Sequence, residues 1–403
     1  MKKKILQINT VCGVGSTGRI AKDIAELAET KGMECYIAYG YGNTDFSNRI
    51  KIGTKIEYYI HNILSRILCM QGRFSYFATK RFLKEVDDIK PDLIHLHNIH
   101  GNYINYKLLF EYIKKKSIPV IWTLHDCWPF TGKCTYFDAV KCNKWQSDCN
   151  KCRNLREYPK SYCVNNTKGE YKNKKNSFSN VENMTIVTPS KWLKDNVKQS
   201  FLKQYEVKVI NNGIDLNKFK FSKSKYREEL NLEDKIVLLG VASEWTKRKG
   251  LNSFEALAEL LDEKYKIVLL GIDNKQKSEI SDKILTIPKT NSIEELAQIY
   301  SMADIFINPT LEDNFPTTNL EALACGTPVI TYRTGGSPES IDSECGAIVE
   351  KENINELMEN IEKIIYKKIE KEKCIEKSKN FNKKDKFLEY IELYENILKL
   401  KEN

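Results

Sequence analysis

The chain has 403 residues, 41% apolar and 29% charged, a globular balance long enough for two to three domains at roughly 150 residues each. Nothing approaches the roughly 18 unbroken apolar residues of a membrane span, and the basic start "MKKKILQINT" turns polar too soon for a signal peptide, so a cytoplasmic protein is expected. Charge is uneven, with 30 Lys and Arg against 17 Asp and Glu in residues 1–190 and 34 against 37 in the remainder.

The first apolar run, "KILQIN", predicts a strand. It leads into "CGVGSTGRI", where Gly13, Gly15 and Gly18 have G-x-G-x-x-G spacing, and then a helix with Ile20, Ile24, Leu27 and Ala28 on one face. Strand, glycine turn and helix start suit a phosphate, because the turn permits close approach and the helix offers unpaired N–H groups. A dinucleotide site also needs an acid at the end of the second strand. That strand, "CYIAYG", ends at Tyr39-Gly40-Tyr41 with none, so an NAD-dependent oxidoreductase loses its most discriminating element. The bland alternative is a tight turn that lets the helix pack on the sheet.

"DLIHLH", "PVIWTL" and "MTIVTP" complete the strands expected in the first half; "KIVLLGVA", "YKIVLLG", "KILTIP", "DIFINP", "TPVITY" and "GAIVE" form a second group. Such runs suit parallel strands buried on both faces in an α/β fold. The turn-rich stretch between the groups puts a domain junction near Asn212 and Gly213. Phe387, Leu388, Ile391, Tyr394, Ile397 and Leu398 make a final helical stripe with no strand after it, so this helix packs on existing structure.

Of 12 cysteines, six lie between Cys127 and Cys163. A disulfide framework suits a long cytoplasmic chain poorly. Cys134, Cys142, Cys149 and Cys152, spaced C-x7-C-x6-C-x2-C, suit a structural tetrahedral zinc. Buried reduced cysteines are the alternative, and Cys127 and Cys163 are spare ligands. No finger unit recurs and aromatic and basic residues do not interleave, so a zinc-containing nucleic-acid-binding protein is disfavoured and no nucleic-acid partner is expected.

The segment "NPTLEDNFPTTNLEALACGTPVITY" reads as strand, loop, helix from about Thr317, a stop at Gly326, and strand. First-turn amides of Thr317 and Thr318 make an anion site. Asp313 before the helix and Glu321 within it place a carboxylate at each end, the layout of a nucleotide sugar with its phosphates between. Ordinary capping with Glu321 solvated is the competing reading. In "VLLGVASEWTKRKGL", Lys247, Arg248 and Lys249 sit where a helix begins. Cations there oppose the helix dipole unless they face a diphosphate, or unless the cluster is chance solvated surface.

Taken in order, "CGVGSTGRIA", "IHLHNIHG", "TLHDCWPFTGKC", "TPSKWL", "VINNGIDL", "RKGL" and "ADIFINPTLEDNFPTTNLEALACGTPV" make the chain resemble a family 4 glycosyltransferase. The subgroup it is most similar to serves bacterial exopolysaccharide and capsule assembly, colanic-acid-type enzymes included. The resemblance implies a GT-B fold, two facing Rossmann-like parallel-sheet domains with a C-terminal helix packing back. Residues 1–212 would be the acceptor-side domain, with a Cys-rich insertion at about 127–163, residues 213–382 the nucleotide-sugar domain, and residues 383–403 the final helix.

It implies roles as well. The loop at Gly15 faces the donor phosphate, Lys249 with Arg248 neutralises the diphosphate, and Glu321 holds the ribose. Asp313 and the backbone of Asn314, Phe315, Pro316, Thr317 and Thr318 orient the donor sugar. His125 reaches the sugar near the reacting carbon, while His97 and His100 lie on the acceptor side. Catalysis is thus expected from His125, Asp313 and Lys249. Two departures stand out: Asp313 occupies a position where Glu is usual, with Glu312 as competitor, and the usual arginine is missing from "GVASEWTKRKG", leaving Arg248 or Lys247 to replace it. The family implies a retaining hexosyltransferase. No Asp-x-Asp occurs, so no catalytic metal is expected. The basic first half suggests peripheral contact with an anionic membrane face, near a glycan or lipid-linked acceptor.

Overall fold

The computed structural model describes residues 2–402. The chain forms two compact units: residues up to Ile210 together with those from Phe387 onward, and Asn211–Lys386.

The first unit is built on β1 (Lys4–Asn9), β2 (Glu34–Tyr39), β3 (Arg49–Lys51), β4 (Leu93–Leu96), β5 (Val120–Thr123), β6 (Met184–Thr188) and β7 (Glu206–Val209). They form one parallel sheet in the order β3-β2-β1-β4-β5-β6-β7. Its helices are α1 (Gly15–Thr30), α2 (Lys55–Leu68), α3 (Tyr76–Ile89), α4 (Tyr106–Lys116), α5 (Thr167–Phe178) and α6 (Lys191–Gln199). The interior strands are buried almost without break, which is why they read as continuous apolar runs. A Thr54/Glu57 capping box fixes the start of α2.

The second unit carries α7 (Tyr226–Glu229), β8 (Ile236–Val241), α8 (Leu251–Leu260), β9 (Tyr265–Leu270), α9 (Asn274–Lys277), β10 (Ile284–Ile287), α10 (Ile293–Met302), β11 (Ile305–Asn308), α11 (Thr317–Ala324), β12 (Val329–Tyr332), β13 (Gly346–Val349), α12 (Ile354–Lys367) and α13 (Lys371–Lys379). Its parallel sheet has the order β10-β9-β8-β11-β12-β13. The last helix, α14 (Lys383–Glu402), leaves this unit and joins the first from Phe387. There Phe387, Tyr390, Ile391, Tyr394 and Leu398 pack with Ile5, Ile37, Leu93 and Ile121 of the sheet. Each such fully buried side chain contributes about 1.5–3 kcal/mol.

Both sheets reverse their winding once, between β1 and β4 in the first unit and between β8 and β11 in the second. Ligands of open α/β sheets bind beyond the carboxyl ends of strands at such a switch point. The residues that follow these four strands are therefore where function is sought.

Candidate functional site

In the second unit, the turns after β8 and β11 are laced together. Lys247–Lys249 form one 3-10 turn, ended by Gly250 at φ +81°. A Cβ on Gly250 would lie 2.2 Å from the Pro309 carbonyl oxygen, so only glycine lets the turns meet this closely. The Arg248 carbonyl accepts from Leu311 N–H at 2.8 Å, and Arg248 Nη1 donates to the Glu312 carbonyl at 3.0 Å. This brings Lys249 Nζ within 2.9 Å of Asp313 Oδ2. Asp313, not Glu312, pairs with Lys249; Glu312 is buried and meets Arg248 through its backbone.

The loop then buries Asn314 and Phe315, whose carbonyl accepts from Asn212 Nδ2 at 2.9 Å. Pro316 is the N-cap residue of α11 and supplies no side-chain cap, and the first turn holds no acid. Thr317 and Thr318 thus open a helix whose positive end has no carboxylate of its own. One turn on, Glu321 Oε2 accepts from the Tyr300 hydroxyl at 2.9 Å. Burial, then the neighbouring Glu321 charge, holds the Tyr300 phenol well above its usual range, so it stays a donor and fixes the carboxylate. Tyr300 lies on α10, and no local motif pointed to it.

In the first unit, Gly13 N–H bonds the Gly18 carbonyl at 2.9 Å, closing the glycine turn before α1, which starts at Gly15 without a side-chain cap. The histidines at the ends of β4 and β5 form a relay. His97 Nε2 lies 2.8 Å from Gln7 Oε1, and His97 Nδ1 lies 3.0 Å from His125 Nε2. His95 bonds Tyr394 OH at 2.6 Å and Thr123 Oγ1 at 2.8 Å. His100 Nε2 pairs with Asp126 Oδ2 at 2.8 Å. Burial pushes His125 down to about 4 and His95 to about 3, and holds His97 well below its ordinary value. These three imidazoles are therefore neutral at physiological pH. Gln7 was passed over in the sequence although an amide set between the buried apolar Leu6 and Ile8 of "KILQIN" was a visible signal.

Beside His100, which Tyr158 touches, Tyr41, Tyr58, Asn62, Arg66, Gln71, Asn102, Tyr158 and Lys160 line a cavity of about 220 Å³. Gln71 Oε1 is buried with no hydrogen-bond partner. Such a wall, part aromatic and part amide with two cations, suits a polyhydroxylated ligand carrying negative charge.

Cys134, Cys142, Cys149 and Cys152 line a separate cavity of about 30 Å³, with the Cys134 and Cys152 sulfurs 3.9 Å apart. Among the described residues, no three His, Cys, Asp or Glu side chains stand close enough together to hold a metal as placed. No described helix is long and apolar enough to cross a membrane.

Two doubly wound parallel sheets, each with polar turns at its switch point, define a two-unit α/β protein. Residues 17–218 match the model for Glycosyltransferase Family 4 and residues 222–381 that for Glycosyl transferases group 1. The chain belongs to this glycosyltransferase family, in its family 4 type. It is 22% identical over 373 residues to the putative colanic acid biosynthesis glycosyl transferase WcaC of Escherichia coli (strain K12), which covers 88% of this chain and 89% of that protein. Among solved structures, sucrose-phosphate synthase from Thermosynechococcus elongatus superposes with a TM-score of 0.73 at 17% identity, covering 99% of this chain and 100% of that one. HepE from Anabaena, solved in complex with UDP-glucose, gives 0.66 at 13% identity, over 98% and 99% of the two chains. These likenesses show the GT-B fold.

Proposed function

We propose that this glycosyltransferase moves a hexose from a nucleoside diphosphate donor to a glycan or lipid-linked saccharide, with retention at the anomeric carbon, in bacterial surface polysaccharide synthesis. The observation that carries the reading is the Lys249–Asp313 pair at 2.9 Å, set beside the uncapped start of α11. A cation, a carboxylate and helix amides are gathered where a diphosphate and its sugar would lie. As the glycosidic bond breaks, charge grows on the departing diphosphate. Lys249, Arg248 and the amides of Thr317 and Thr318 are preorganised to meet it, and such electrostatic terms dominate transfers of this kind. Glu321, oriented by Tyr300, accepts the ribose hydroxyls. Asp313 and the Asn314–Pro316 backbone orient the sugar.

From the first unit, the glycine turn at Gly15 is assigned to phosphate, and His125, held neutral, to hydrogen bonding with the transferred sugar. Among the described residues no side chain is singled out as a covalent nucleophile, so a front-face, oxocarbenium-like substitution is the preferred route. With no Asp-x-Asp, cations and amides do the work of a catalytic metal. Any metal of this chain belongs to the cysteine-rich insertion and breaks no bond. The 220 Å³ cavity with His100 beside it is assigned to the acceptor saccharide, with Gln71 Oε1 taking a sugar hydroxyl and Arg66 and Lys160 its charge.

A membrane-borne acceptor is favoured by the outer face of α2. Ile56, Tyr59, Ile60, Ile63 and Ile67 are exposed along it, and Tyr76 and Phe77 are exposed at the start of α3. Seven Lys and Arg against four Asp and Glu in residues 54–90 complement anionic lipid. WcaC, by its name, serves colanic acid synthesis, and a polysaccharide setting for this chain rests on that relationship.

The test is a screen of UDP-, GDP- and ADP-sugars by thermal stabilisation, followed by NMR of the anomer released or transferred from the best donor in EDTA. Stabilisation by one nucleotide class and a retained anomer are expected. No response to any sugar nucleotide, an inverted product, or activity restored only by magnesium would refute the corresponding part.

A further inference from the structure

We propose that Cys134, Cys142, Cys149 and Cys152 bind one zinc ion as a tetrathiolate site that orders the insertion between β5 and α5. The stretch runs from Leu124 to Asn166, and its only helical pieces are single 3-10 turns at Trp128–Phe130 and Lys144–Gln146. Loops beyond about 12–15 residues without structure of their own are uncommon in compact domains. Trp128, Phe130, Phe137 and Trp145 anchor its first part in the hydrophobic core, but from Gln146 to Asn166 Pro159 is the one buried apolar residue, and a metal supplies folding energy where so little core is available.

Three features of the cluster point to a metal. The four sulfur-bearing side chains face one small cavity. Zinc–sulfur bonds of about 2.3 Å in a tetrahedron set sulfurs about 3.8 Å apart, and Cys134 and Cys152 already stand at 3.9 Å. Backbone amides are aimed at the sulfurs: Asn154 N–H bonds Cys152, two residues before it, and Gly132 N–H bonds Cys149. The second bond needs glycine, because a Cβ on residue 132 would lie 2.8 Å from Cys149 Cβ and 2.4 Å from the Thr167 carbonyl oxygen. Such amide donors stabilise metal-bound thiolates and orient them.

The surroundings compensate the net double negative charge of such a site. Lys133 Nζ is buried and donates to the Asn154 and Glu157 carbonyls, and Lys144 Nζ donates to the Asn150 carbonyl. Both lysines thus clasp the backbone around the Cys149-x-x-Cys152 turn. The indole N–H of Trp145, whose side chain lines the same cavity, is buried without a partner. A thiolate turned inward to meet a metal is an acceptor for it. The two remaining thiols, of Cys142 and Cys149, line the same cavity.

The site has a use. Tyr158, Pro159, Lys160 and Tyr162, at the far end of the same insertion, form one wall of the 220 Å³ cavity. Lys133 ties the metal loop to that wall through Glu157. Resting on the acceptor reading of that cavity, the metal acts as a brace for acceptor binding and takes no part in bond breaking.

The test is elemental analysis of the full chain purified without added metal, with thiol alkylation under native conditions. About one zinc per chain is expected, with four thiols protected until a chelator and denaturant are added. Cys149→Ser with Cys152→Ser should lose the zinc, and Cys163→Ser, at an exposed thiol outside the cavity, should keep it. Should the double variant fail to fold, cobalt exchanged into the parent chain decides, since tetrahedral cobalt thiolate absorbs intensely in the visible and near ultraviolet. Metal-free native protein with all four thiols open to alkylation would overturn the proposal. So would a Cys134–Cys152 disulfide, iron in place of zinc, or zinc that survives the double substitution. None of these readouts depends on glycosyl transfer, so the metal site and the acceptor reading fail separately.

Discussion

Gln7 Oε1 lies 2.8 Å from His97 Nε2, and the direction of that hydrogen bond sets the protonation of the histidine beyond it. Gln7 spends its amide nitrogen on the Ala21 carbonyl at 2.9 Å, so its oxygen faces His97 and accepts. His97 therefore carries its proton on Nε2 and accepts at Nδ1 from His125 Nε2–H, 3.0 Å away. A helix carbonyl thus fixes, through one amide and one buried imidazole, which nitrogen of His125 is protonated. Gln7→Leu removes the acceptor and should leave His125 in a mixture of tautomers, read directly in the nitrogen-15 shifts of its imidazole. Turnover should fall roughly two- to tenfold, the scale of one neutral hydrogen bond, with nucleotide affinity unchanged. An unaltered single tautomer in the variant would end this account of Gln7 as a positioning residue.

Lys249 is the prime test of the donor site. Lys249→Ala removes a charge-assisted hydrogen bond to phosphate, which costs about 1.5–3 kcal/mol and so roughly 10- to 150-fold in nucleoside diphosphate affinity. Tyr300→Phe is milder: it releases Glu321 from its 2.9 Å hydrogen bond and should weaken nucleoside binding by less than Lys249→Ala. Calorimetry on both variants measures this. Parent-like affinity in Lys249→Ala for every nucleotide that binds the parent would remove the lysine from the site.

The histidines make the first unit sensitive to acid. All five lie at or before His125, hence in that unit. Burial lowers His61 and His95 to about 3 and His125 to about 4, against about 6.5 in the unfolded chain. The unfolded state thus binds protons first as pH falls. Stability is full above about pH 6.5 and is lost between there and the folded values, by up to about 1.4 kcal/mol per pH unit for each histidine. Urea midpoints of the full chain should therefore drop from pH 7 to pH 5, and pulse proteolysis should cut the first unit before the second. A midpoint that holds steady or rises across that interval contradicts the prediction.

Much of this was legible in the chain because interior strands of a parallel sheet are apolar on both faces. Every run singled out as a strand, from "KILQIN" to "GAIVE", lies in one of the two sheets. The strands that were missed, β3 and β7, are the edges of the first sheet. Arg49-Ile50-Lys51 and Glu206–Val209 are short and half-solvated, so they carry charge where an interior strand cannot. At the candidate site, Asp313 and Lys249 could be named from local pattern, but not their contact, which spans 64 positions and exists only because β8 and β11 are neighbours at the switch point. The Gln7–His97–His125 chain was invisible for the same reason: it collects one side chain each from beside β1, β4 and β5. The apolar face of α2 was missed because its Thr54/Glu57 start signal was not used to place a helix there, and membrane contact of the first half was judged by charge alone.

That face gives the sharpest test of membrane contact. On α2, Ile56, Ile60, Ile63 and Ile67 fall at helical spacing on the solvent side, with Ile56 71% exposed, and Phe77 at the start of α3 is equally open. Isolated exposed apolar residues need no explanation, but a stripe of them in a segment of net positive charge does. A bilayer with anionic headgroups meets both halves of the pattern: the side chains enter the acyl boundary and the cations stay at the phosphates. Ile60→Glu with Ile63→Glu should abolish flotation with anionic liposomes, since each change removes buried apolar area and adds a repelled charge. Because both side chains already face water, the melting temperature should stay near that of the parent. Raised salt should weaken binding of the parent to anionic vesicles without abolishing it, as the apolar part is not screened. Activity on a short water-soluble acceptor should be unchanged in the variant, while activity on a lipid-linked acceptor in vesicles should fall. Equal flotation of parent and variant, or a parent that ignores lipid charge, would rule out this face as the membrane contact.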